Sequence, residues 1–498
     1  MPVRFGGNRS FDAASSSRYN ETHWSNAAGE DPNALISADL PTLRNRARYE
    51  ARNNCYSRGI IDTLANDVVG SGPRVQIISQ NKRFNKKVER EFTAWMREAD
   101  ITGRLSLGDM ARLAIVQLCE SGEALVIKQN YEPAANVKLR LAMIEPDRLE
   151  TPYGVTGNQE RDQGIEYDKY GRPSNYYILK NHPGSNTVHI GSSVTDADKV
   201  PAGQVMHVYK MDRPGQRRGI PWIAPALPLF ALLRRFTLAS VRAAETAANF
   251  AGVMESTSPD LQPTDADDNA FDPVELEAGS LLTLPLGWKA SQMKSEQPAT
   301  TYDMFKAEII NEIGRPLNMS YNVAAANSSG YNYASGRLDW QVYYRFIKTV
   351  RTMAEMQILN KVLYSWLLEA RSIVGLVDPA LILKSNITIN WYWPGTEPMD
   401  PVKEANAQKI RLEMGIDTYA DACAVAGKDW EKQFEQRVKE KERKAELGLD
   451  QGIAPPAEPA GQEEDTEEEE AETEEDTGGN GKLNKNARIG LKRDYFRR

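Results

Sequence analysis

Residues able to do chemistry are sparse and scattered in this sequence. It has four histidines, His23, His182, His189 and His207. A metal site needs ligands a helical turn apart or on neighbouring turns, and none of the four has such a partner at helical spacing. His182 and His189 come nearest, in a Gly/Asn/Ser-rich turn region, and read as loop residues. The three cysteines, Cys55, Cys119 and Cys423, are odd in number and far apart. That argues against a disulfide framework or a cysteine zinc site and fits a reducing compartment. No GxxxxGK[ST] loop is present to cradle phosphates, and no GxSxG elbow to present a nucleophile. Gly70-Ser71-Gly72 runs into Pro73 and Arg74, a turn ending a helix. The acidic pairs Glu145/Asp147 and Asp162/Glu166 read as solvated or structural carboxylates. The expectation is a protein with no catalytic residues, no cofactor and no metal.

Charge narrows the class further. The formal net charge is −8, but residues 451–498 hold 13 acids against 7 bases. The other 450 residues hold 56 acids and 54 bases, a net of only −2. A body so nearly balanced does not grip nucleic acid through phosphate neutralisation, although DNA could pass it. Hydrophobic residues make up 41%, enough for most of the chain to fold into two or more domains. The start MPVRFGGNRSFDAASSS has no apolar core, so no secretory signal is expected. The longest apolar stretch, Trp222 to Leu233, carries prolines and is too short for a bilayer, so no membrane partner is expected.

The elements follow from periodicity. Residues 1–40 are polar and Gly/Ser/Asn-rich, a flexible arm, and helix is expected from Leu40. Ile60, Ile61, Leu64, Val68 and Val69 mark one helix face, stopped by Gly70 and Gly72-Pro73. Helices are expected over Asn85–Ala99 and Ser106–Ser121. Strands are expected at Val75–Ile78 and in GEALVIKQN, VKLRLAMIEPDRLE, GIEYD and SNYYILK. This is an α+β pattern with a mostly antiparallel sheet. The stretch RPGQRRGIPWIAPALPLFALLRRF, with Pro214, Gly215, Gly219 and Pro221, is a rigid basic joint feeding a long helix. That helix, Trp222 to Glu255, is about 50 Å long at ~1.5 Å per residue. Its stripe of small residues includes Ala243, Ala247 and Ala251, which allow close approach of neighbouring helices, although alanine is also simply a good helix former.

Residues 256–275 read as an exposed loop and AGSLLTLPLGWKASQM as a hairpin, followed by a returning helix in QPATTYDMFKAEIINEIGRPL. NSSGYNYASG, 327–336, reads as a flexible loop. A long helix follows from Arg337 to Ala370, with Trp340, Tyr344, Ile347, Val350, Met353, Ile358, Val362 and Trp366 on or near one face. ITINWYWPG is a last strand. Asp400 caps a helix with Pro401 at its first position and Gly415 at its end. Two more helices follow, the last burying Trp430, Phe434 and Val438. The run EEDTEEEEAETEED, 463–476, cannot build a core, and a basic end closes the chain.

Over most of residues 40–450 the chain resembles the lambda-type portal proteins of tailed bacteriophages. The resemblance rests on RNNCYSRGIIDTLANDVVGSGPRVQ, IEPDRLETP, GIEYDKYGRPSNYYI, HVYKMDRPGQRRGIPWIAPAL and NYASGRLDW. DPVKEANAQ, GIDTYADACAVAGKDWE and KAELGL continue it in the same order. One departure is Ala334, where the family commonly has serine in an N-Y-S-S-x-R pattern. Ser335, Gly336 and Arg337 follow it.

The resemblance implies a portal-protein fold and a homo-oligomeric ring, a dodecamer, at one capsid vertex of the virion. Such a ring is assembled in the host cytoplasm. It implies partners: double-stranded DNA passing through the channel, the terminase large subunit, the major capsid protein and scaffold, and neck or head-completion proteins. The implied division is an arm (1–40), an α/β wing (41–220), a stem helix (221–256), a small clip (257–300) and a returning stem helix (301–318). The tunnel loop and the start of the long helix (319–345) come next, then the rest of that helix and a wing strand (346–398). A helical crown (399–450) and an acidic then basic tail (451–498) complete it. In this frame Asn327, Ser328, Ser329, Tyr331, Asn332, Tyr333 and Arg337 face channel DNA. Ala243, Ala247 and Ala251 lie between subunits, and Pro214, Gly215, Gly219 and Pro221 form the wing–stem hinge. A salt bridge to Asp339 is the competing use of Arg337. The rival classes are another head-to-tail connector or head structural protein, and a head-associated protease, for which no nucleophile–base pair is visible.

Overall fold

The computed structural model describes residues 22–25, 27, 29–133, 136–151, 161–185, 196–249, 253–256, 288–291, 299–373, 375–377, 387–396 and 400–449. Helix α1, Pro32–Asn53, starts ahead of Leu40, inside the stretch expected to be an arm. The Asp31 side chain accepts from the backbone N–H of Asn33 and Ala34, and Pro32 needs no partner at the first position. Pro41, which reads like a start signal, sits inside the helix instead. It forfeits only the bond to the Ser37 carbonyl. Asn54 caps α2 (Cys55–Val69), whose face Ile60, Ile61, Leu64, Val68 and Val69 is buried as expected. Gly70 and Gly72 then take positive φ, 54° and 94°, conformations that favour glycine.

Helix α3 (Lys82–Met96) follows strand β1 (Arg74–Ile78) and is capped by Asn81, so it starts and ends before the expected bounds. Helix α4 (Leu107–Ser121) begins on a Ser106/Asp109 capping box and ends at Gly122, φ 84°. Strands β2 (Glu123–Asn130), β3 (Leu139–Ile144) and β8 (Val205–Tyr209) form an antiparallel sheet in the order β3-β2-β8. Strands β4 (Arg161–Asp162), β5 (Ile165–Tyr167), β6 (Pro173–Leu179) and β7 (Ala197–Pro201) form a second antiparallel meander. β2 is apolar on both faces because both are covered. Ala124 and Val126 join the main core, while Leu125 and Ile127 join a smaller core with Ile144, Leu149, Ile165 and Tyr176.

The expected single helix from Trp222 to Glu255 is shorter. A 3-10 turn holds Pro225 (Ala224–Ala226), α5 runs Leu227–Asn249, and Val253–Ser256 is strand β9. β9 pairs antiparallel with β10 (Trp288–Ser291). Of the hairpin expected within 278–293, only 288–291 is among the described residues, as β10; the rest lies outside them. The apolar segment also extends past Leu233. By length and a mean hydropathy of 1.2 alone, Ala224–Glu245 would suffice to cross a membrane.

Helix α6 (Ala299–Gly314) returns, and a short helix α7 (Tyr321–Ala324) precedes the loop. Helix α8 (Tyr333–Ala354) starts four residues sooner than the expected Arg337, because Asn332 caps it by accepting from the Ser335 N–H at 2.8 Å. The long helix is also not uniform. A π-turn at Glu355–Leu359 divides α8 from α9 (Asn360–Ala370). It lets the Gln357 amide accept from the Tyr209 N–H and donate to the Tyr209 carbonyl, both at 3.2 Å, so a side chain takes the place of a neighbouring strand on β8.

Strand β11 (Thr388–Tyr392) pairs antiparallel with β1, tying chain distant in sequence back to the first helices. Arg351, 8% exposed, donates to the Val68, Asp67 and Pro394 carbonyls. It satisfies the free C-terminal carbonyls of α2. The main core gathers α2, α4, the first turns of α5, the end of α6, α8 and α9, with Phe92 edge-on to Trp366.

Helix α10 (Pro401–Glu413) is capped by Asp400, and Gly415 follows it at φ 70°. Helix α11 (Tyr419–Val425) has a Thr418/Asp421 capping box. Helix α12 (Trp430–Glu446) buries no residue. Phe434 is 36% and Val438 56% exposed, so the expected burial of Trp430, Phe434 and Val438 does not occur within the chain. The chain divides into two units, Met1–Phe434 and Glu435–Arg498. The described part of the second, 435–449, is the rest of α12 and its end, with an ion pair from Arg443 to Glu446 at 2.8 Å.

Candidate functional site

One of the most heavily bonded side chains among the described residues is one that sequence reasoning passed over. Glu123 opens β2 with no exposed surface. Its carboxylate accepts from Arg44 and from Arg218, including the Arg218 Nε–H at 2.8 Å. It also accepts the Gly219 N–H at 3.1 Å and meets His207 Nε2 at 2.8 Å. Burial by itself would push this carboxyl up, but Arg218, Arg44 and His207 overcome it and hold it well below the usual range. Burial likewise lowers His207, against the pull of Glu123. Each cation is fixed again from behind. Arg44 donates to the Ser121 carbonyl at 3.0 Å and Arg218 to the Gln163 carbonyl at 2.8 Å.

This cluster clamps the basic joint. Pro214 and Gly215 are exposed at the turn tip, with Gly215 at φ 81°. Gly219 and Pro221 are buried. Gln216 accepts from the Asp212 and Arg213 N–H groups at 2.9 and 3.1 Å and donates to the Arg218 carbonyl at 2.8 Å. Asn33, at the start of α1, donates to the Gly215 carbonyl and accepts from the Arg217 N–H. A Cβ on Gly219 would overlap the Gly122 carbonyl and stand 2.8 Å from the Tyr209 Cβ, so the two backbones meet in direct contact.

From the joint, α5 leaves the core. Leu227, Phe230 and Leu233 are buried, and no residue from Arg234 to Glu245 is. α6 enters the core only at Ile309. The outlying parts pair through Phe236, whose ring lies 5.4 Å from Tyr302 and 4.8 Å from Phe305. Leu238, Val241, Met304 and Phe305 stay 50–71% exposed. Ala243 is half-buried and Ala247 lies in α5, while Ala251 lies outside the described residues.

The loop before α8 is exposed from Asn327 to Gly330. Asn327 accepts from the Ser329 N–H and hydroxyl at 2.9 and 2.7 Å, Gly330 has φ 84°, and the Tyr331 N–H reaches the Ser328 carbonyl. Partial burial and the Asp339 carboxylate raise the Tyr331 phenol. Tyr333 is the first residue of α8 rather than loop. Arg337 lies 3.7 Å from Glu404, not on Asp339, because residues two apart point to different sides of a helix.

His189 lies outside the described residues, as do residues 1–21, 257–287 and 450–498. Among the described residues, Glu145, Asp147 and His182 bring ligand atoms within 4.8 Å of one another. Asp147 is held by Arg48 at 2.5 Å and His182 faces Glu145 at 3.0 Å, so ion pairing accounts for the group. A signal for the Glu123 cluster was available. A carboxylate inside the apolar run GEALVI must find cations when buried, and RR before Gly219 supplies one.

The model of the lambda family of phage portal proteins matches residues 19–351, and the chain belongs to that family. It is 26% identical over 463 residues to a probable portal protein of Halomonas phage phiHAP-1, covering 89% of this chain and 88% of the relative. It is 22% identical over 472 residues to portal protein B of Escherichia phage lambda, covering 85% and 88%. A chain in the neck of an empty gene transfer agent particle superimposes with a TM-score of 0.47 at 13% identity, over 78% of this chain and 93% of that one. The chain is thus a phage portal protein of the virion's portal vertex. The general work of that family is to give the genome its passage into the head at packaging and out at ejection.

Proposed function

We propose that the chain is one subunit of a closed ring of twelve, with α5 and α6 as the stem through which copies pack. The observation that carries this is the departure of both helices from their own core. They leave Leu238, Val241, Met304 and Phe305 in solvent, more apolar surface than a lone subunit has reason to expose. In this reading the wing is built on the β3-β2-β8 sheet, the meander, α1–α4 and the β1–β11 pair. β9 and β10 lead into the clip, where terminase and then neck proteins dock. α10–α12 form the crown inside the head, beside capsid protein and scaffold. Pro214, Gly215, Gly219 and Pro221 make a rigid wing–stem joint rather than a swinging one. Asn327, Ser328, Ser329, Tyr331 and Asn332 face the DNA, with Tyr333 and Arg337 at the head of α8. The loop offers hydroxyls and amides, so its hold on phosphate is weak and DNA can slide both ways.

Native mass spectrometry and electron microscopy test the ring. Wild-type protein should give twelve-fold rings with a central hole. Ala243→Glu with Ala247→Glu should scatter them; undisturbed rings would remove the helix from the interface, and a monomer with hydrolase activity would favour an enzyme. Deleting 328–331, which spares the Asn332 cap, should keep rings and lower packaging or retention of DNA. Normal packaging by that variant would take the loop off the channel.

A further inference from the structure

A second feature is a charged groove that neither the core nor the clamp uses. Two adjoining clefts, about 450 and 400 Å³, share Thr93, Arg97 and Lys432. One is walled by α3, with Lys86 and Arg90; the other reaches Arg74 at the start of β1. Together they present five cations, Arg74, Lys86, Arg90, Arg97 and Lys432, and one carboxylate, Glu89. Glu89 is 7% exposed and committed inward, accepting the Ile77 N–H at 2.9 Å and meeting Lys432 at 2.7 Å. At the border, Arg90 pairs with Glu91, and Asp429 lies 3.6 Å from Lys432. Arg74 and Arg97 are exposed and in no ion pair with a described residue. The groove therefore holds an unspent positive charge in a body whose total is nearly balanced.

We propose that this groove receives an acidic peptide, and that its occupant is the run 463–476 of a second copy of the chain. The run has 11 acids in 14 residues, and the terminal 48 residues hold −6 of the total −8. It is the most densely anionic stretch in the sequence, denser than 260–277 with its seven acids and no base, and its sign matches the groove. Fourteen extended residues reach roughly 45 Å, ample to follow a cleft along a helix of 15 residues. The two clefts, about 450 and 400 Å³, are of a size for a few residues of one extended chain rather than for the broad backbone of a duplex. The assignment to a second copy rests on the ring reading, which brings copies side by side. In the ring each tail would latch its neighbour, a contact weakened by salt because the cations are exposed.

The test uses full-length protein. Isotope-light and isotope-heavy chains are mixed before assembly and treated with a zero-length carbodiimide, which joins carboxylates to lysine amines. We expect crosslinks from Lys86 and Lys432 to the acids of 463–476 in light–heavy pairs, fading at about 0.5 M salt, where screening is short-ranged. Arg74→Glu with Arg97→Glu, both exposed positions, should cut their yield several-fold while rings persist in the microscope. Rings without these crosslinks, crosslinks only within one isotope, or a yield unmoved by the double variant would each overturn the proposal while leaving the ring reading intact. A DNA duplex retarded by wild-type protein but not by the double variant, with no crosslinks formed, would assign the groove to nucleic acid instead and equally overturn it. Absence of rings in wild-type protein would remove the ring reading, and with it the second copy as donor.

Discussion

Glu123→Gln tests whether the joint is clamped electrostatically or merely packed. The substitution keeps size and removes one charge. It leaves the Arg44 and Arg218 side chains, 5% and 4% exposed, without their shared counter-charge. Removing one partner of a buried ion pair costs about 3–5 kcal/mol. Here one carboxylate serves two guanidiniums and the Gly219 N–H, and a glutamine amide would turn an N–H toward at least one of these donors. The upper part of that range is expected, a large share of the ~5–15 kcal/mol by which domains are stable. Urea unfolding followed by tryptophan fluorescence at neutral pH measures it. Adding Arg218→Met should recover part of the loss, since one orphaned charge is then gone, and the double-mutant cycle should show coupling well beyond ~0.5 kcal/mol. The pH dependence has a definite sign. Glu123 is depressed in the folded state, so its contribution is whole above the ordinary carboxylate range and is lost as pH falls through the depressed value. His207 is lowered in the folded state, so as pH falls below about 6.5 the unfolded chain binds more protons than the folded one. Both effects make acid destabilising, and His207→Gln should flatten the upper part of that fall. A loss under about 1 kcal/mol for Glu123→Gln, or additivity in the cycle, would refute the clamp as an electrostatic device.

Gly219→Ala should lose about 3 kcal/mol or more of stability in the same urea assay, because its Cβ meets the Gly122 backbone. Gly215→Ala, with nothing near its Cβ but φ 81°, should lose only about 1 kcal/mol. Asn332→Ala should cost about 1 kcal/mol and speed hydrogen exchange in the first turn of α8, at Ser335 and Gly336, without altering ring yield. A chain ending at Asp450 should still form rings in native mass spectrometry, since 451–498 cannot supply a core; failure to assemble would make the tail structural.

What the sequence made legible was what local patterns encode. The α2 face and the Ser106 and Asp400 caps needed only periodicity and capping chemistry, and the positions of β2 and β6 only their apolar runs, which are buried without alternation. Misplaced boundaries arose where one local signal outweighed another. Pro41 looks like a start, but Asp31-Pro32 is the better cap. NSSGYNYASG looks uniformly loop-like, but Asn332 turns its last four residues into helix. What stayed hidden was long-range. The pairing of β1 with β11 joins residues more than 300 apart in sequence, and the π-turn carries Gln357 to the edge of β8. The Glu123 cluster draws on α1, β2, β8 and the joint at once. No window of sequence contains such a contact, although each charge could be flagged as needing one.

The clamp also bears on how a joint can be rigid while its sequence looks loose. Arg213 to Gly219 has the composition of a turn that swings: proline, two glycines, three arginines. Its backbone N–H and carbonyl groups are nevertheless taken by Gln216, Asn33, Tyr209 and Glu123. The glycines serve contact and turn geometry rather than freedom, Gly219 by lying against Gly122 and Gly215 by its left-handed φ. A helix leaving the core at Leu233 has little of its own to fix its direction. Its direction is set upstream, by a salt-bridged turn bonded into the edge of a sheet and the start of α1. Load on α5 therefore passes into the β3-β2-β8 sheet through Arg218 and Gly219. On the proposed ring reading, that stiffness would let the loop's contacts with DNA be weak without the channel losing its shape.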